Sequence, residues 1–158
     1  MSRSGEVVRA WGDADRTFRL GIGEWRKVQE TCDAGPGEIA SRLGAWAAVR
    51  QRQPNAQLLE VLVAGGIGKW RIDDIRAPLY WGLIGGGLSP TAAGLLVRDL
   101  HDERPLMENL DLALAVVLAS LVGAEDEPVG EPEGEPSTTT TTSPTDASAS
   151  PRTMEPVR

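Results

Sequence analysis

Apolar and polar positions at the start of the chain predict a β-hairpin. Val7, Val8 and Trp11 precede a cluster of turn-forming residues at positions 12–15, and positions 17–20 then alternate in character. Two strands alone are marginally stable in water, so we expect the hairpin to pack on an apolar surface that helices supply.

Helical spacing of apolar residues predicts the next elements. The first helix is expected to open near Gly23 and to close at Gly35, which is placed to take the left-handed conformation that ends many helices. A second helix is expected over positions 38–53, and a short third one between its cap Asn55 and Gly65. The residues predicted to face the core on the first two helices are Trp25, Val28, Cys32, Ile39, Leu43, Trp46 and Val49.

Two further helices are expected before position 101. Positions 67–72 are predicted to form a connecting loop, after which Asp73 or Asp74 caps a helix that the glycines at 85–87 terminate. Ser89–Pro90 is a start signal for the next helix, with serine as the cap and proline at the first helical position. The apolar positions of these two helices are Ile75, Leu79, Trp81, Leu83, Ala93, Leu96, Val97 and Leu100.

The last predicted helix begins at Pro105 and is apolar on nearly every side over its C-terminal half. A helix without a polar face is either central in the core or covered by a partner. The pattern as a whole predicts a mainly α fold of the α+β class, in which an N-terminal β-hairpin is followed by a bundle of about five to six short helices.

Composition changes after Gly123, where a segment rich in Glu, Pro, Thr and Ser begins. Positions 124–158 hold eight acids and two bases, a net charge of −6, which leaves 15 acids and 14 bases, or −1, for the rest of the chain. Such a segment cannot bury enough apolar surface to fold. We therefore expect a flexible N-terminus at 1–4, a helical domain at 5–123 and a disordered acidic tail at 124–158.

Charge and composition exclude several classes of partner. The bases are scattered, with Arg42, Arg50 and Arg52 as the nearest approach to a cluster, so nucleic acid is not expected as a partner. The apolar run Leu112–Val122 is shorter than the roughly 20 residues that cross a bilayer, and no secretory signal is expected because the first residues form no apolar run. One cysteine fits a reducing compartment, so we expect the protein to stay in the cytoplasm of the cell that makes it.

No pattern of residues predicts catalysis. His101 has only its sequence neighbours as acids, which favours an exposed polar turn over a general base, and Cys32 falls on an apolar helical stripe. Positions 65–69 resemble a phosphate-binding loop only superficially, since they lack its first glycine and its Ser or Thr. We expect no enzyme activity, no metal and no cofactor.

Five tryptophans stand out beside one Phe and one Tyr, and they point to protein–protein contacts. Trp25 and Trp46 are expected in the core, whereas Trp70, between two basic residues, is expected to be exposed. The predicted contact surface consists of Trp70, Trp81, Leu112, Val116 and Leu118.

The order of elements resembles the tail assembly chaperones of the gene transfer agent type, which tailed phages and phage-derived particles encode. The resemblance covers roughly positions 5–122. It rests on Gly5-Glu6-Val7-Val8, Arg16 to Leu20, the helix with Glu24 and Trp25, Leu58 to Gly66, and the helix pair Ser89 to Leu100 and Leu106 to Leu118.

This resemblance implies a chaperone that binds the tape measure protein and keeps it soluble during tail assembly, with tail tube subunits and self-association as further contacts. It also implies that the acidic tail raises the solubility of the complex. The alternative is a minor structural tail subunit, or a tail tube or connector subunit, although tail tube subunits are commonly built around β-sandwiches. A helical DNA-binding regulator fits less well, because Arg98 is the only base of the segment 89–100.

Overall fold

The computed structural model of the chain describes residues 4–52, 55, 57, 60 and 69–123, all of which belong to one compact unit. The predicted mainly α fold with an N-terminal hairpin is confirmed. The elements are β1 (Glu6–Trp11), β2 (Ala14–Arg19), α1 (Ile22–Cys32), α2 (Pro36–Arg52), α3 (Ile72–Gly85), α4 (Pro90–Val97) and α5 (Leu110–Val122). A π-helical turn, Arg98–Asp102, continues α4, and a 3-10 turn, Leu106–Asn109, precedes α5.

Two predicted segments lie outside the described residues. They are most of the short third helix between Asn55 and Gly65 and the acidic tail 124–158. The glycine-containing stretch 65–69 is described only at Lys69.

The hairpin is antiparallel and pairs Val7 with Phe18 and Trp11 with Ala14. Gly12 supplies the turn with a left-handed backbone, at φ 72°, which glycine adopts without steric cost. One face of the hairpin is buried, because Val7, Trp11 and Phe18 point into the core and the rings of the last two lie 5.8 Å apart. The hairpin packs on α3 and α5, as its marginal stability requires.

The first helix ends differently from the prediction. Asp33, at φ 47°, takes the left-handed position directly after Cys32, so the helix stops before Gly35. Gly35 instead opens α2, where its carbonyl accepts from the backbone N–H of Ile39 at 3.0 Å. The reason is Pro36, whose fixed φ favours the first helical position and draws the start of α2 forward by two residues.

The start of α3 also corrects the prediction. Arg71 is the N-cap, and the Asp74 carboxylate at the third helical position accepts from the Arg71 N–H at 2.8 Å. Ile72 therefore belongs to the helix rather than to a loop, and Asp73 and Asp74 follow the cap. By contrast, the predicted cap of α4 is confirmed, since Ser89 Oγ accepts from the Ala92 N–H at 3.2 Å.

Helix α3 occupies the centre of the described domain and packs against α1, α2, α4, α5 and β2. Its C-terminal end touches β2 so closely that a Cβ on Gly85 would lie 2.1 Å from the Arg19 carbonyl oxygen. The same construction on Gly86 would bring a Cβ within 2.0 Å of the Thr17 carbonyl oxygen. The glycines thus terminate the helix, as predicted, and also allow it to reach the edge of the sheet.

The core combines one face of the hairpin with the inner faces of all five described helices. Both tryptophans predicted to be buried are in it, while Val49 is only half-buried. None of the helices in the described ranges is long and apolar enough to cross a membrane. The largest fully buried apolar side chains are Phe18, Val28, Ile39, Leu43, Ile75, Leu79, Leu83, Val97, Leu110, Val116 and Val117.

Candidate interaction surface

The C-terminal end of α5 carries the most concentrated exposed apolar surface on one described helix. Leu118 is 41% exposed, Leu121 43% and Val122 65%, and no charged residue follows Asp111 in this helix. The opposite side of α5 is buried, because Val116, Val117 and Ala119 pack into the core. The all-round apolar pattern of this helix therefore divides into a core face and an exposed end.

A groove of about 280 Å³ lies between β1 and this end of α5. We call it the β1–α5 groove, and its lining residues are Val7, Arg9, Ala115, Leu118, Ala119, Val122 and Gly123. Arg9 is its single charged residue. Its Nη1 donates to the Val8 carbonyl at 3.1 Å, and within the described part of the chain no carboxylate pairs with this guanidinium. Among the described residues, the groove thus combines apolar walls with one positive charge that no carboxylate pairs.

The structure separates the five residues predicted as a contact surface. Leu118 is exposed and lines the groove, and Leu112 is half-buried on the same helix. Val116 is only 1% exposed, so the structure does not place it on the surface where a contact residue was expected. Its side chain fills the space above Gly82, where a Cβ would lie 3.2 Å from Val116 Cγ1.

The two tryptophans of that prediction lie elsewhere. Trp70 is half-buried and packs against the core, which corrects its expected exposure. Trp81 is half-buried in α3 and meets Tyr80 edge-on, with ring centroids 5.0 Å apart. Neither ring lines the β1–α5 groove.

His101 is buried, at 1% exposure, which overturns the predicted exposed turn. The π-helical turn rotates it inward, where Nδ1 lies 3.4 Å from the amide nitrogen of Asn109. Asn109 also accepts from Trp11 Nε1 at 2.7 Å and donates to the Leu100 carbonyl at 2.8 Å. His101 Nε2 is buried and has no hydrogen-bond partner among the described residues, and burial lowers the pKa of this imidazole.

A second polar cluster ties α1, α2 and α3 together. Asp74 is fully buried, and its carboxylate lies 3.3 Å from Arg42 Nη1, while Arg42 also pairs with Glu38. Cys32 is buried as predicted, and its Sγ donates to the Asp73 carbonyl at 3.2 Å. Burial, followed by the charges of Asp74 and Asp73, raises the pKa of the Cys32 thiol to about 12. The thiol is therefore protonated at neutral pH.

Two of the arginines on α2 form ion pairs with residues of other helices. Arg42 is engaged with Asp74, and Arg50 pairs with Asp111 on α5 at 2.5 Å, so these two bases make structural ion pairs.

A cavity of about 580 Å³ beside Arg42 is lined by Glu38, Ser41, Arg42, Ala45, Lys69 and Arg71. Among the described residues no group of three or more potential metal ligands occurs.

Sequence reasoning missed Arg9 and Val122 as surface residues of the groove. No local signal marks these two residues, although β1 does show that one apolar side chain lies outside the core, because Val7 and Val8 are adjacent. Successive strand residues face opposite sides, so one of two neighbouring valines must lie outside the core. Val8 is the outer one, at 49% exposure.

Comparison with known proteins finds one matching family. Residues 43–123, which are 81 of the 158 in the chain, match the family described as phage tail tube protein, GTA-gp10. The match contains α3, α4 and α5 with the exposed end of α5, and it does not include the hairpin on which part of the resemblance rested. No curated protein and no solved structure matches the chain. Because the match covers more than half of its length, the chain belongs to the phage tail tube protein family of the GTA-gp10 type.

Proposed function

We propose that this protein is a tail tube-type component of a phage or gene transfer agent, which contacts tail tube subunits and copies of itself while the tail is built. The observation that carries the proposal is the position of the exposed end of α5 inside the family match 43–123. In this role the protein is not an enzyme, uses no cofactor, and acts in the cytoplasm of the bacterial host.

The physical support is the chemistry of that surface. Burial of apolar surface contributes roughly 25 cal/mol per Å², and the exposed end of α5 presents leucine and valine side chains without a charge to desolvate. Interface cores are depleted of charged residues in the same way. A contact made here gains free energy from apolar burial and has little polar cost.

Purified particles test the proposal directly. We expect the protein to be detected in them by quantitative mass spectrometry, in a fixed ratio to the tail tube subunit. Leu118→Ser should lower the number of complete tails, because it removes apolar surface from the contact. Leu95→Ser is the matched control, since Leu95 is 48% exposed on α4 and does not line the groove. Absence from the particles, or equal effects of the two substitutions, would contradict the proposal.

A second candidate function is a tail assembly chaperone that holds the tape measure protein in solution. One observation favours it: the described part of the chain contains a single two-stranded sheet, whereas tail tube subunits are commonly built around β-sandwiches. A helical domain with spare apolar surface suits the binding of a long apolar helix.

Co-expression separates the two functions. If the protein is a chaperone, the tape measure protein encoded nearby should move from the pellet to the supernatant and co-purify, and the chain should be absent from finished particles. If it is a tail component, it should be found in particles, and the tape measure protein should stay in the pellet.

A further inference from the structure

In the described part of the chain, the outer side of β1 is a sheet edge with which no strand pairs. In an antiparallel pair, the N–H and C=O groups of one residue point to the same side of the strand, and successive residues alternate. The Glu6 N–H faces Ser4 Oγ at 3.4 Å, and the Val8 carbonyl accepts from the Arg9 side chain, so neither group points to β2. Glu6, Val8 and Ala10 therefore turn their backbone groups outward. We call these three residues the open edge.

The opposite edge of the sheet is covered. The Thr17 and Arg19 carbonyls face the glycines at the end of α3, and these two residues pair with Val8 and Glu6 in the hairpin register. This agrees with the assignment of the open edge, because outward residues pair with outward residues. Within the described residues, the Val8 and Ala10 N–H groups make no hydrogen bond beyond the sheet. As far as the described ranges reach, one edge of the sheet is closed by a helix and the other is open.

Natural proteins commonly protect an unpaired edge with lysine, proline, a bulge or a covering segment. Among the described residues the open edge has no lysine, proline, bulge or covering strand, and its middle residue, Val8, is half-exposed. It also runs beside the β1–α5 groove, which Val7 and Arg9 line from the other face of the strand. An added strand would place alternate side chains in this groove.

We propose that the open edge of β1 takes up an extended segment of another protein as a third strand. The side chains that this segment places in the β1–α5 groove are apolar, apart from one carboxylate that pairs with Arg9. Main-chain hydrogen bonds to Val8 and Ala10 provide affinity for the added strand, and the groove determines which sequences bind.

Charge argues against a second copy of this chain as the occupant. The groove-facing residues of β1 are Val7, Arg9 and Trp11, and none of them is acidic. Pairing of two β1 strands would bring a second arginine into a groove whose own Arg9 has no carboxylate partner among the described residues. Charge therefore favours a segment of a different protein over a second β1 strand, and this inference stands whether the chain is a tail component or a chaperone.

The test uses a six-residue peptide of alternating valine and threonine with one central glutamate, and a second peptide with lysine in place of the glutamate. Each is titrated into the uniformly ¹⁵N-labelled full chain and followed by NMR at low salt. With the glutamate peptide, we expect the Val8 and Ala10 amides to shift and their hydrogen exchange to slow. The lysine peptide should bind about tenfold more weakly, because its charge repels Arg9.

Two variants make the test specific. Arg9→Glu should reverse the preference, so that the lysine peptide binds more tightly than the glutamate peptide. Val8→Pro removes an outward N–H that does not bond to β2 and should abolish binding, whereas Val8→Thr keeps the N–H and should retain it. If Val8→Pro does not fold, the reversal by Arg9→Glu still decides the question.

Three results would overturn the proposal. Equal affinity of the two peptides would show that Arg9 does not select a carboxylate. Shifts confined to α5, without protection of the β1 amides, would mean that the groove binds a side of a helix. Protection of Val8 and Ala10 that grows with protein concentration in the absence of peptide would assign the edge to a second copy. The particle and co-expression experiments have separate readouts, so their failure leaves this result unaffected.

Discussion

A single buried amide connects the hairpin to the helical part of the molecule. Asn109 accepts from the Trp11 indole and donates to the Leu100 carbonyl, and its amide nitrogen lies next to His101. Each of these groups would be costly to bury without a partner, by about 1–3 kcal/mol. The network therefore fixes how the end of β1 meets the turn after α4. His101 remains the member with an unpaired ring nitrogen in the described structure.

We predict that His101 makes the fold sensitive to acid. Burial lowers its pKa below the ordinary value of about 6.5, so the unfolded chain binds the proton more readily than the folded one. Folding free energy is accordingly lost as the pH falls below about 6.5. In urea unfolding between pH 7.5 and 5, the wild type should lose more stability than His101→Gln. Parallel curves for the two proteins would contradict this, and both must share the same fold by circular dichroism.

At the scale of elements, the contact between α3 and β2 depends on the lack of side chains at Gly85 and Gly86. The helix end reaches the β2 carbonyls directly, and this contact closes one edge of the two-stranded sheet. A longer side chain would have to push the helix and the hairpin apart, since the atoms it meets belong to the backbone. The hairpin, α3 and α5 are consequently held in one arrangement.

We predict opposite effects from glycine substitutions in two helices. Gly85→Ala should destabilise the protein by about 1–3 kcal/mol or more, because backbone atoms must move to admit the methyl group. Gly44→Ala should stabilise it by about 0.5–1 kcal/mol, since Gly44 lies inside α2 with nothing within 4 Å of an added Cβ. Urea unfolding followed by tryptophan fluorescence measures both. Similar effects of the two substitutions would show that the α3–β2 contact is looser than described.

At the scale of the whole molecule, the apolar core and most of the net charge belong to different parts of the chain. The described core is built from residues 7–119, while six of the seven net negative charges belong to positions 124–158. Surface charge of one sign favours solubility and contributes little to fold stability. These two properties should respond separately to truncation.

We predict that removal of residues 124–158 leaves the free energy of unfolding within about 0.5 kcal/mol of the full chain. The truncated protein keeps a net charge near −1 instead of −7, so it should precipitate at lower concentration. Urea unfolding and light scattering measure the two effects. A large loss of stability would mean that the core depends on the removed segment.

Local signals in the sequence predicted the parts of the fold that local interactions decide. Ser89 caps α4 as expected, because a cap needs only its own helix. His101 was placed wrongly, since its burial depends on a π-helical turn and on Asn109 eight positions later. Val116 was misplaced because a helix apolar on every side does not reveal which side meets the core. The β1–α5 groove joins residues about 110 positions apart and leaves no periodic signal.

The single cysteine of the chain can report local opening of the fold. Cys32 lies where α1 meets the start of α3, and its thiol is both buried and protonated. A thiol-specific reagent can react with it only when these helices separate and the thiolate forms. The labelling rate therefore measures how often the contact between α1 and α3 opens, and no engineered probe is needed. Partners bound at β1, at α5 or elsewhere can be compared by how much each one lowers the labelling rate of Cys32.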